Sequence, residues 1–265
     1  MEYEERIILF IDILGFKELI DSTVDKDGNA IPKKVKEVAS LLKLPDEIFR
    51  DHPEIQKSKI ITRFSDCIVV SFKYHEESEV FYTLLDIVHL HMNFISRGAI
   101  FRGALVKGQI CHTEDLIFGP GLVEAYLRES RAAVYPRVIL DEEIIKIGAK
   151  FAVDGHTSER EREHIEALVN KDTDGFYYVD YFFKSQGELD DPELQFPDFI
   201  KMIQAIIKKG LKKRDPGERI KFTWMRERFN QLAKTCKDPE FLKSIESSVG
   251  LEFREFYEDL ELFED

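Results

Sequence analysis

The sequence predicts a mixed α/β sandwich, because segments with a strand pattern and segments with a helix pattern alternate along it. Residues 6–13, RIILFIDI, form a nearly continuous apolar run, which is typical of a strand buried on both faces. Residues 33–44 carry apolar side chains at helical spacing, and residues 78–95 also suit a helix. The resulting order, β-α-α-β-β-α-β-α-β, is typical of a ferredoxin-like sandwich. From about residue 197 onward the pattern is mostly helical, which predicts a helical C-terminal extension.

The segments between these elements complete the predicted order. Gly15 ends the first strand, and the residues after it open a helix. Pro45 and Pro53 fall in a predicted polar connection. Residues 59–73 predict two strands joined by a tight turn at residues 63–66. The other expectations are a strand at 99–110 with Cys111 and His112 in the loop after it, a helix at 122–130, a strand at 138–140, helices at 141–147 and 158–170, and an aromatic strand at 175–183.

The length of 265 residues suits one large domain or one domain with an extension. Hydrophobic residues make up 43% of the sequence, which is enough for a sizeable core and excludes a disordered chain. We expect an α/β domain over residues 1–185 and a helical extension over residues 186–265 that packs on the same domain.

The net charge of the chain limits the classes of partner that it can bind. Lys and Arg number 38 against 51 Asp and Glu, which gives a net charge of −13. Such an acidic surface repels nucleic acid and anionic lipid, so we expect neither as a partner. A small anionic substrate stays possible, provided that local cations or a bound metal neutralise it.

The cysteines and the first residues indicate the compartment. Cys67, Cys111 and Cys236 are far apart, odd in number and form no CxxC pair, which excludes a disulfide framework and a zinc ribbon. The first ten residues, MEYEERIILF, are acidic where a signal peptide is basic, and no apolar stretch approaches the roughly 20 residues that cross a bilayer. We therefore expect a soluble cytoplasmic protein.

Two acidic residues stand in otherwise apolar strand regions. Asp12 follows ILFI, and Asp66 precedes CIVVSF. A buried carboxylate is costly unless it is paired, hydrogen-bonded or bound to a metal. If the two strands are neighbours, the carboxylates converge and offer the oxygen ligands that Mg²⁺ or Mn²⁺ prefers. Each Asp alone would be interpreted as a cap of a turn at a strand end, whereas the pair favours a metal site.

Four segments resemble, in family order, the sequence elements of class III nucleotidyl cyclases. Together they span roughly residues 6–140, and the ordered set is more specific than any one of them. A fifth segment resembles a strand of the pyrimidine cyclases of the Pycsar antiphage system, which is the closer resemblance and extends it to about residue 183. The segments are FIDILGFKEL (10–19), RFSDCIVVSF (63–72), RGALVKGQI (102–110), FGPGLVEAYLRES (118–130) and DTDGFYYVDY (172–181).

The resemblance implies a reaction, its metals and an assembly. The ribose 3′-oxygen of a nucleoside triphosphate attacks its own α-phosphorus, pyrophosphate leaves, and two Mn²⁺ or Mg²⁺ ions serve each site. Asp12 and Asp66 would bridge both ions, and the Ile13 carbonyl would bind one of them. A head-to-tail C2 homodimer would build each site from both chains. The resemblance also implies that the backbone N–H groups of Leu14, Gly15 and Phe16 cradle the triphosphate.

The resemblance also implies a substrate, by the positions at which this chain departs from purine cyclases. The Lys that selects purines corresponds here to Thr62, which favours a smaller base held by Thr62 or stacked on Phe64, although either residue can equally be core. The Asn and Arg of the helix after the glycine turn correspond to Glu124 and Arg128. Arg128 either stabilises charge on the α-phosphate or is a solvated helix residue.

These departures leave two hypotheses for function. The first is an enzyme that converts UTP, with CTP as the alternative, to a 3′,5′-cyclic nucleotide signal in antiphage defence, sensed by a separate effector protein. The second is a catalytically silent module that binds a nucleotide. The intact pair Asp12 and Asp66 favours the enzyme, and the missing Asn favours the silent module.

Overall fold

The computed structural model describes residues 2–50 and 58–264, which form two compact units, 1–180 and 181–265. The first unit is a mixed α/β sheet with helices and the second is helical, so the predicted fold class is confirmed. The predicted packing of the helical extension on the first domain stays a prediction. Pro53 lies outside the described residues.

The sheet of the first unit has the strand order β2-β3-β1-β4-β6-β8-β7, and β5 pairs with β4 off this path. The pair β4 and β6 is parallel, and the other pairs are antiparallel. The strands are β1 (Glu4–Leu14), β2 (Ile60–Phe64), β3 (Cys67–Lys73), β4 (Ile100–His112), β5 (Ile117–Phe118), β6 (Val138–Leu140), β7 (Val169–Lys171) and β8 (Tyr177–Val179).

Helices cover both faces of this sheet. Because β1 is central, its odd-numbered residues, such as Leu9, pack in one core and its even-numbered residues, such as Phe10, in another. Burying such a side chain contributes roughly 1.5–3 kcal/mol, which explains the continuous apolar run. The helices are α1 (Phe16–Asp21), α2 (Pro32–Phe49), α3 (Glu79–Ser96), α4 (Pro120–Arg131), α5 (Glu142–Lys150) and α6 (Ser158–Leu168).

Helix α4 lies on the second face of the sheet, and two glycines set its distance. A Cβ built on Gly108 of β4 would lie 2.6 Å from the Cα of Gly121 in α4. Ala125 of the same helix packs against Ile8 and Phe10 of β1. The sequence GPG at 119–121 therefore serves close helix–strand packing.

Three local expectations are wrong. Pro45 lies inside α2 and is buried with Leu41 and Leu44, because the apolar face of that helix outweighs the loss of one backbone hydrogen bond. The predicted aromatic strand ends at Val179, and buried aromatic residues from Tyr181 onward are helical, because strand preference depends strongly on packing context. The expected loop at residues 111–112 is the end of β4, extended by its pairing with β5.

The second unit is helical, and its three longest helices begin with the same kind of N-terminal cap. Aspartates 191, 215 and 238 cap the three longest by accepting backbone N–H groups, and a proline follows each one. None of the helices in the described part of the chain is long and apolar enough to cross a membrane. The helices are α7 (Tyr181–Lys184), α8 (Pro192–Gly210), α9 (Pro216–Cys236), α10 (Pro239–Val249) and α11 (Leu251–Glu258), with a 3-10 turn at Ser185–Glu188.

Candidate functional site

Asp12 and Asp66 lie side by side at one edge of the sheet. Asp12 is near the end of β1 and pairs in register with Cys67 of the neighbouring strand β3. Asp66 is in the two-residue turn between β2 and β3, where its carbonyl accepts the N–H of Ile13 at 3.1 Å. Carboxylate oxygens of both Asp residues and the sulfur of Cys67 lie within 4.8 Å of one another. The convergence expected of neighbouring strands is therefore present.

The donor set of this cluster fits a hard divalent cation. Burial raises the pKa of the Cys67 thiol to about 11, and the charges of Asp66 and Asp12 add to this effect. Without a metal the thiol therefore keeps its proton at neutral pH, and the two half-buried carboxylates are the charged donors of the cluster. Oxygen donors of this kind suit Mg²⁺ and Mn²⁺. The role of the Ile13 carbonyl as a further ligand stays a prediction.

Arg102 of β4 lies beside this pair. It pairs in register with Asp12, and its Nε is 3.3 Å from Asp12 Oδ2 and 2.6 Å from Oε1 of Glu129. Glu129 is in α4 and only 2% exposed. The arginine offsets part of the repulsion between Asp12 and Asp66, and Glu129 holds it in place.

The sequence analysis missed this role of Arg102, which it quoted only as the first residue of the segment RGALVKGQI. The available signal is the pattern of α4, in which an acidic residue, Glu129, stands four positions after Ala125 on the buried face. The contact itself depends on the pairing of β1 with β4, which the sequence does not display.

The turn after β1 leads directly from Asp12 into helix α1. Gly15 has φ +73°, the left-handed region that favours glycine, and a Cβ built there would meet open space within 4 Å. Its constraint is therefore conformational rather than steric. Leu14 and Phe16 flank it, so these three backbone positions adjoin the carboxylate pair, and their contact with a triphosphate stays a prediction.

Arg128 points to other carboxylates of its own chain. Its Nε donates to Glu124 Oε1 at 2.6 Å, and its Nη1 donates to Oδ2 of Asp141. No ion pair joins Arg128 to Asp12 or Asp66 among the residues described here. Within one chain the structure thus does not bring Arg128 to the carboxylate pair.

Thr62 is half-buried and ends a hydrogen-bonded chain of four polar side chains. Its Oγ1 lies 2.9 Å from Nε2 of His112, whose Nδ1 lies 2.8 Å from Oγ of Ser71. The Nε of Arg6 donates to the same Ser71 oxygen at 2.8 Å. Burial lowers the pKa of His112 to about 4, and the charge of Arg6 contributes. His112 is therefore neutral near pH 7, with one ring nitrogen as donor and the other as acceptor.

Phe64 shares a sheet face with Thr62 and with Asp12. The register aligns Phe64 with Cys67, and Cys67 with Asp12, so the three side chains form one row across three strands. Phe64 is 81% exposed, which excludes the interpretation that it belongs to the core of this chain. An aromatic ring is thus available beside the carboxylate pair.

The acidic segment 172–174 has a structural explanation. Buried Arg137 donates to carboxylate oxygens of both Asp172 and Asp174, and its guanidinium also lies over the rings of Tyr135 and Tyr178. These contacts fix the hairpin of β7 and β8 against β6.

Comparisons with known proteins give remote structural likeness alone. No protein-family model matches the chain, and no curated protein matches it. Among solved structures, the adenylyl cyclase CyaB from P. aeruginosa is 13% identical with a TM-score of 0.45, and the match covers 68% of this chain and 95% of that one. The guanylyl cyclase Cya2 is 12% identical with a TM-score of 0.40, covering 68% and 93%.

A third solved structure, a class III adenylyl cyclase-like ATP-binding protein from Pseudomonas aeruginosa, covers 93% of this chain and 73% of its own. Its identity is 9% and its TM-score 0.38. Likeness at this level carries no argument about function, which must instead be argued from the residues of this chain.

Proposed function

We propose that this chain is a metal-dependent pyrimidine nucleotidyl cyclase that converts UTP to 3′,5′-cyclic UMP and pyrophosphate. The observation that carries the proposal is the convergence of Asp12 and Asp66 carboxylate oxygens within 4.8 Å. Both residues stand in segments that resemble the metal-binding elements of class III cyclases, at the positions where those elements carry aspartate.

The reaction forms the bond between the ribose 3′-oxygen and the α-phosphorus and breaks the bond to the pyrophosphate oxygen. Bound Mn²⁺ or Mg²⁺ ions supply a lower pKa for the 3′-hydroxyl and neutralise phosphate charge. Asp12 and Asp66, with the Ile13 carbonyl, would hold two such ions.

The other residues of the proposed site orient the substrate and balance charge. Arg102 keeps Asp12 in position through its contact at 3.3 Å. The backbone N–H groups of Leu14, Gly15 and Phe16 would bind the triphosphate oxygens. Arg128 would stabilise negative charge that grows on the α-phosphate.

A C2 homodimer would bring Arg128 of one chain to the carboxylate pair of the other. Within the single chain, Arg128 pairs with Glu124 and Asp141 rather than with Asp12 or Asp66, so in this proposal it acts on the site of the other chain. The exposed face of α4 supports this assembly, because Val123 and Tyr126 are 56% and 52% exposed there. Large exposed apolar side chains on one helix suit a protein interface.

The base specificity rests on Thr62, which stands where purine cyclases carry lysine. A hydroxyl lacks the reach and charge of that lysine, and the partner of this hydroxyl is the neutral His112 at 2.9 Å. Uracil and cytosine differ in donor and acceptor pattern at N3 and C4, so a site whose polar groups match one pattern disfavours the other strongly. The Thr62 hydroxyl can donate or accept, so a further polar group has to separate UTP from CTP. We assign Thr62 and exposed Phe64 to the pocket for the pyrimidine ring.

The proposed biological role is synthesis of a cytoplasmic second messenger in antiphage defence, which a separate effector protein senses. A catalytically silent nucleotide-binding module is the second candidate. Glu124, at the position of the family Asn, favours it, because a carboxylate cannot donate a hydrogen bond to the ribose.

One experiment tests the reaction and the base together. The purified chain is incubated with Mn²⁺ and each of the four ribonucleoside triphosphates, and the products are identified by mass spectrometry, with Asp66→Ala as the matched control. We expect cyclic UMP as the main product and none from the control. A purine cyclic nucleotide as the main product contradicts the pyrimidine assignment. Saturable nucleotide binding without any product supports the silent module instead.

A further inference from the structure

We propose a second metal site, distinct from the aspartate pair, in which His156, Glu161 and His164 bind a divalent transition metal of the Zn²⁺ class. The three residues lie in and directly before helix α6, in the first unit of the chain. Neither the cyclase reaction nor any segment of the family resemblance uses them.

The three side chains already converge. Glu161 and His164 are three positions apart on α6, a spacing that puts both on one face of a helix. His156 precedes the helix, and its Nδ1 lies 3.0 Å from Glu161 Oε2. The rings of His156 and His164 have centroids 5.4 Å apart, and one potential ligand atom from each of the three residues lies within 4.8 Å of the others.

The burial of Glu161 points independently to a ligand. Glu161 occupies the buried stripe of α6 with Ile165 and Leu168, at a position where the pattern would place an apolar residue. Its side chain is 2% exposed, and its second oxygen, Oε1, has no hydrogen-bond partner among the residues that the structure describes. A buried carboxylate oxygen without a partner is costly. A cation bound there would satisfy it.

Two of the three candidate ligands, Glu161 and His164, lie on a rigid helix. The side chain of Thr157 caps α6 by accepting the N–H of Arg160 at 3.2 Å. Packing then fixes the helix, since a Cβ built on Gly148 of α5 would lie 2.4 Å from Ile165 Cδ1 and 2.9 Å from Val80 Cβ of α3. Ligands on such an element keep their geometry better than ligands on a loop, so His156, which precedes the helix, is the ligand whose backbone adjusts most readily.

The donor set selects the metal. Two imidazoles and one carboxylate suit Zn²⁺ and its transition-metal neighbours, whereas Mg²⁺ prefers oxygen ligands. Ligand bonds of about 2.0–2.2 Å at tetrahedral angles separate neighbouring donor atoms by about 3.3 Å. The spacing of 3.0 Å between His156 and Glu161 is close to this value. The separations to His164 are at most 4.8 Å, so that side chain also has to move to close the site. A fourth position stays open to water.

The test is metal binding by the full-length chain after removal of metals. Zn²⁺ is titrated in competition with a chromogenic chelator, and Co²⁺ is added separately to record the visible absorption of a tetrahedral site. Four variants are compared with the wild type: His164→Gln, His156→Gln, the exposed control His75→Gln, and Asp12→Asn with Asp66→Asn. Circular dichroism checks that each one folds.

We expect one saturable site whose Zn²⁺ affinity falls about 30-fold or more in His164→Gln and in His156→Gln, together with loss of the Co²⁺ absorption. The His75 control and the double Asp variant should keep both. Absence of saturable binding overturns the proposal, as does binding that the two His variants leave unchanged. Loss of binding in the double Asp variant would assign the ion to the other site and also overturns it.

Discussion

The two ends of strand β1 carry polar side chains on the same face, but they use them differently. At the first end, Arg6, Ser71 and His112 are at most 6% exposed and bind one another in a closed chain that finishes at Thr62. At the second end, Asp12 and Asp66 remain half-buried with their oxygens side by side. The first arrangement satisfies polar groups through the fold, whereas the second concentrates like charges at an accessible edge, which is where a cation is needed.

The sharpest way to break this contrast is to remove a carboxylate. Asp12→Ala or Asp66→Ala should lower turnover by about 1,000-fold or more, because each loses a ligand and the charge that holds the metal. Neither residue belongs to the apolar core, so the melting temperature should change little. Product formation and thermal unfolding measured on the same samples test this. Full activity in either folded variant contradicts the two-aspartate site.

Mixing two variants that are each expected to be inactive tests whether a second copy of the chain completes the site at Asp12 and Asp66. In the proposed homodimer, Asp66→Ala and Arg128→Ala would each disable both sites, whereas a mixed dimer would keep one intact site. Equal mixing should therefore restore about a quarter of wild-type activity, because half of the dimers are mixed and each has one working site. Each variant assayed alone is the control. No recovery after confirmed subunit exchange would refute the composite site.

Arg102 links Asp12, at the carboxylate end of β1, to the buried Glu129, so its removal should lower the free energy of unfolding. Arg102→Ala leaves Glu129 buried without this cation, and we expect a loss of about 3 kcal/mol in the free energy of unfolding. Arg254→Ala is the matched control, because its ion pairs with Glu246 and Glu258 are exposed and worth at most about 1 kcal/mol.

Urea unfolding of both variants measures the difference. The double variant Arg102→Met with Glu129→Leu should recover much of the stability, because it removes both charges together. Equal losses from Arg102→Ala and Arg254→Ala would show that Glu129 does not depend on this cation.

Acidic pH should destabilise the hydrogen-bonded chain of Arg6, Ser71, His112 and Thr62. Because the pKa of His112 is lowered to about 4 in the folded chain, the unfolded state binds its proton more readily. The contribution of neutral His112 is therefore present above about pH 6.5 and is lost as the pH falls toward 4. It amounts to at most about 3 kcal/mol. Stability measured across this range should fall more steeply for the wild type than for His112→Gln, and parallel curves would contradict the closed chain.

The smallest expected effects concern the base. Thr62→Val should lower the rate with UTP by about fivefold, since one hydroxyl hydrogen bond is worth about 1 kcal/mol. Phe64→Ala should admit ATP and GTP while leaving stability within about 0.5 kcal/mol, because Phe64 is 81% exposed. Rates with all four triphosphates test both variants. Unchanged rates and selectivity in both would move the base pocket elsewhere.

The sequence predicted the elements that depend on local pattern. Asp12 and Asp66 stood out because each interrupts an apolar strand, and the order of strands and helices followed from their periods, except that β5 and β7 were not predicted. The contacts of Arg102 and His112 could not be predicted in the same way. Arg102 meets Asp12 across 90 residues of sequence, and His112 meets Thr62 across 50, so both contacts depend on strand register.

Local pattern also failed where packing opposes it. Pro45 indicated a helix end, but the buried apolar face of α2 carries the helix through it to Phe49. The buried Glu161 escaped notice because charged residues surround it in the sequence, and only the packing of α6 distinguishes it from them.

The close contact between Gly108 and Gly121 sets the position of helix α4 near its N-terminal end, so a change at this contact would tilt the rest of the helix. Arg128 lies seven residues beyond Gly121, or about 10 Å along the helix axis. A methyl group added at either glycine would push helix α4 away from the sheet. A tilt of the helix axis by about 10° would then move Arg128 sideways by roughly 2 Å. Such a displacement matters to chemistry that depends on precise orientation of the reacting groups. We therefore expect the activity of the proposed cyclase to respond to a substitution at Gly108 or Gly121, although neither residue is part of the proposed substrate site.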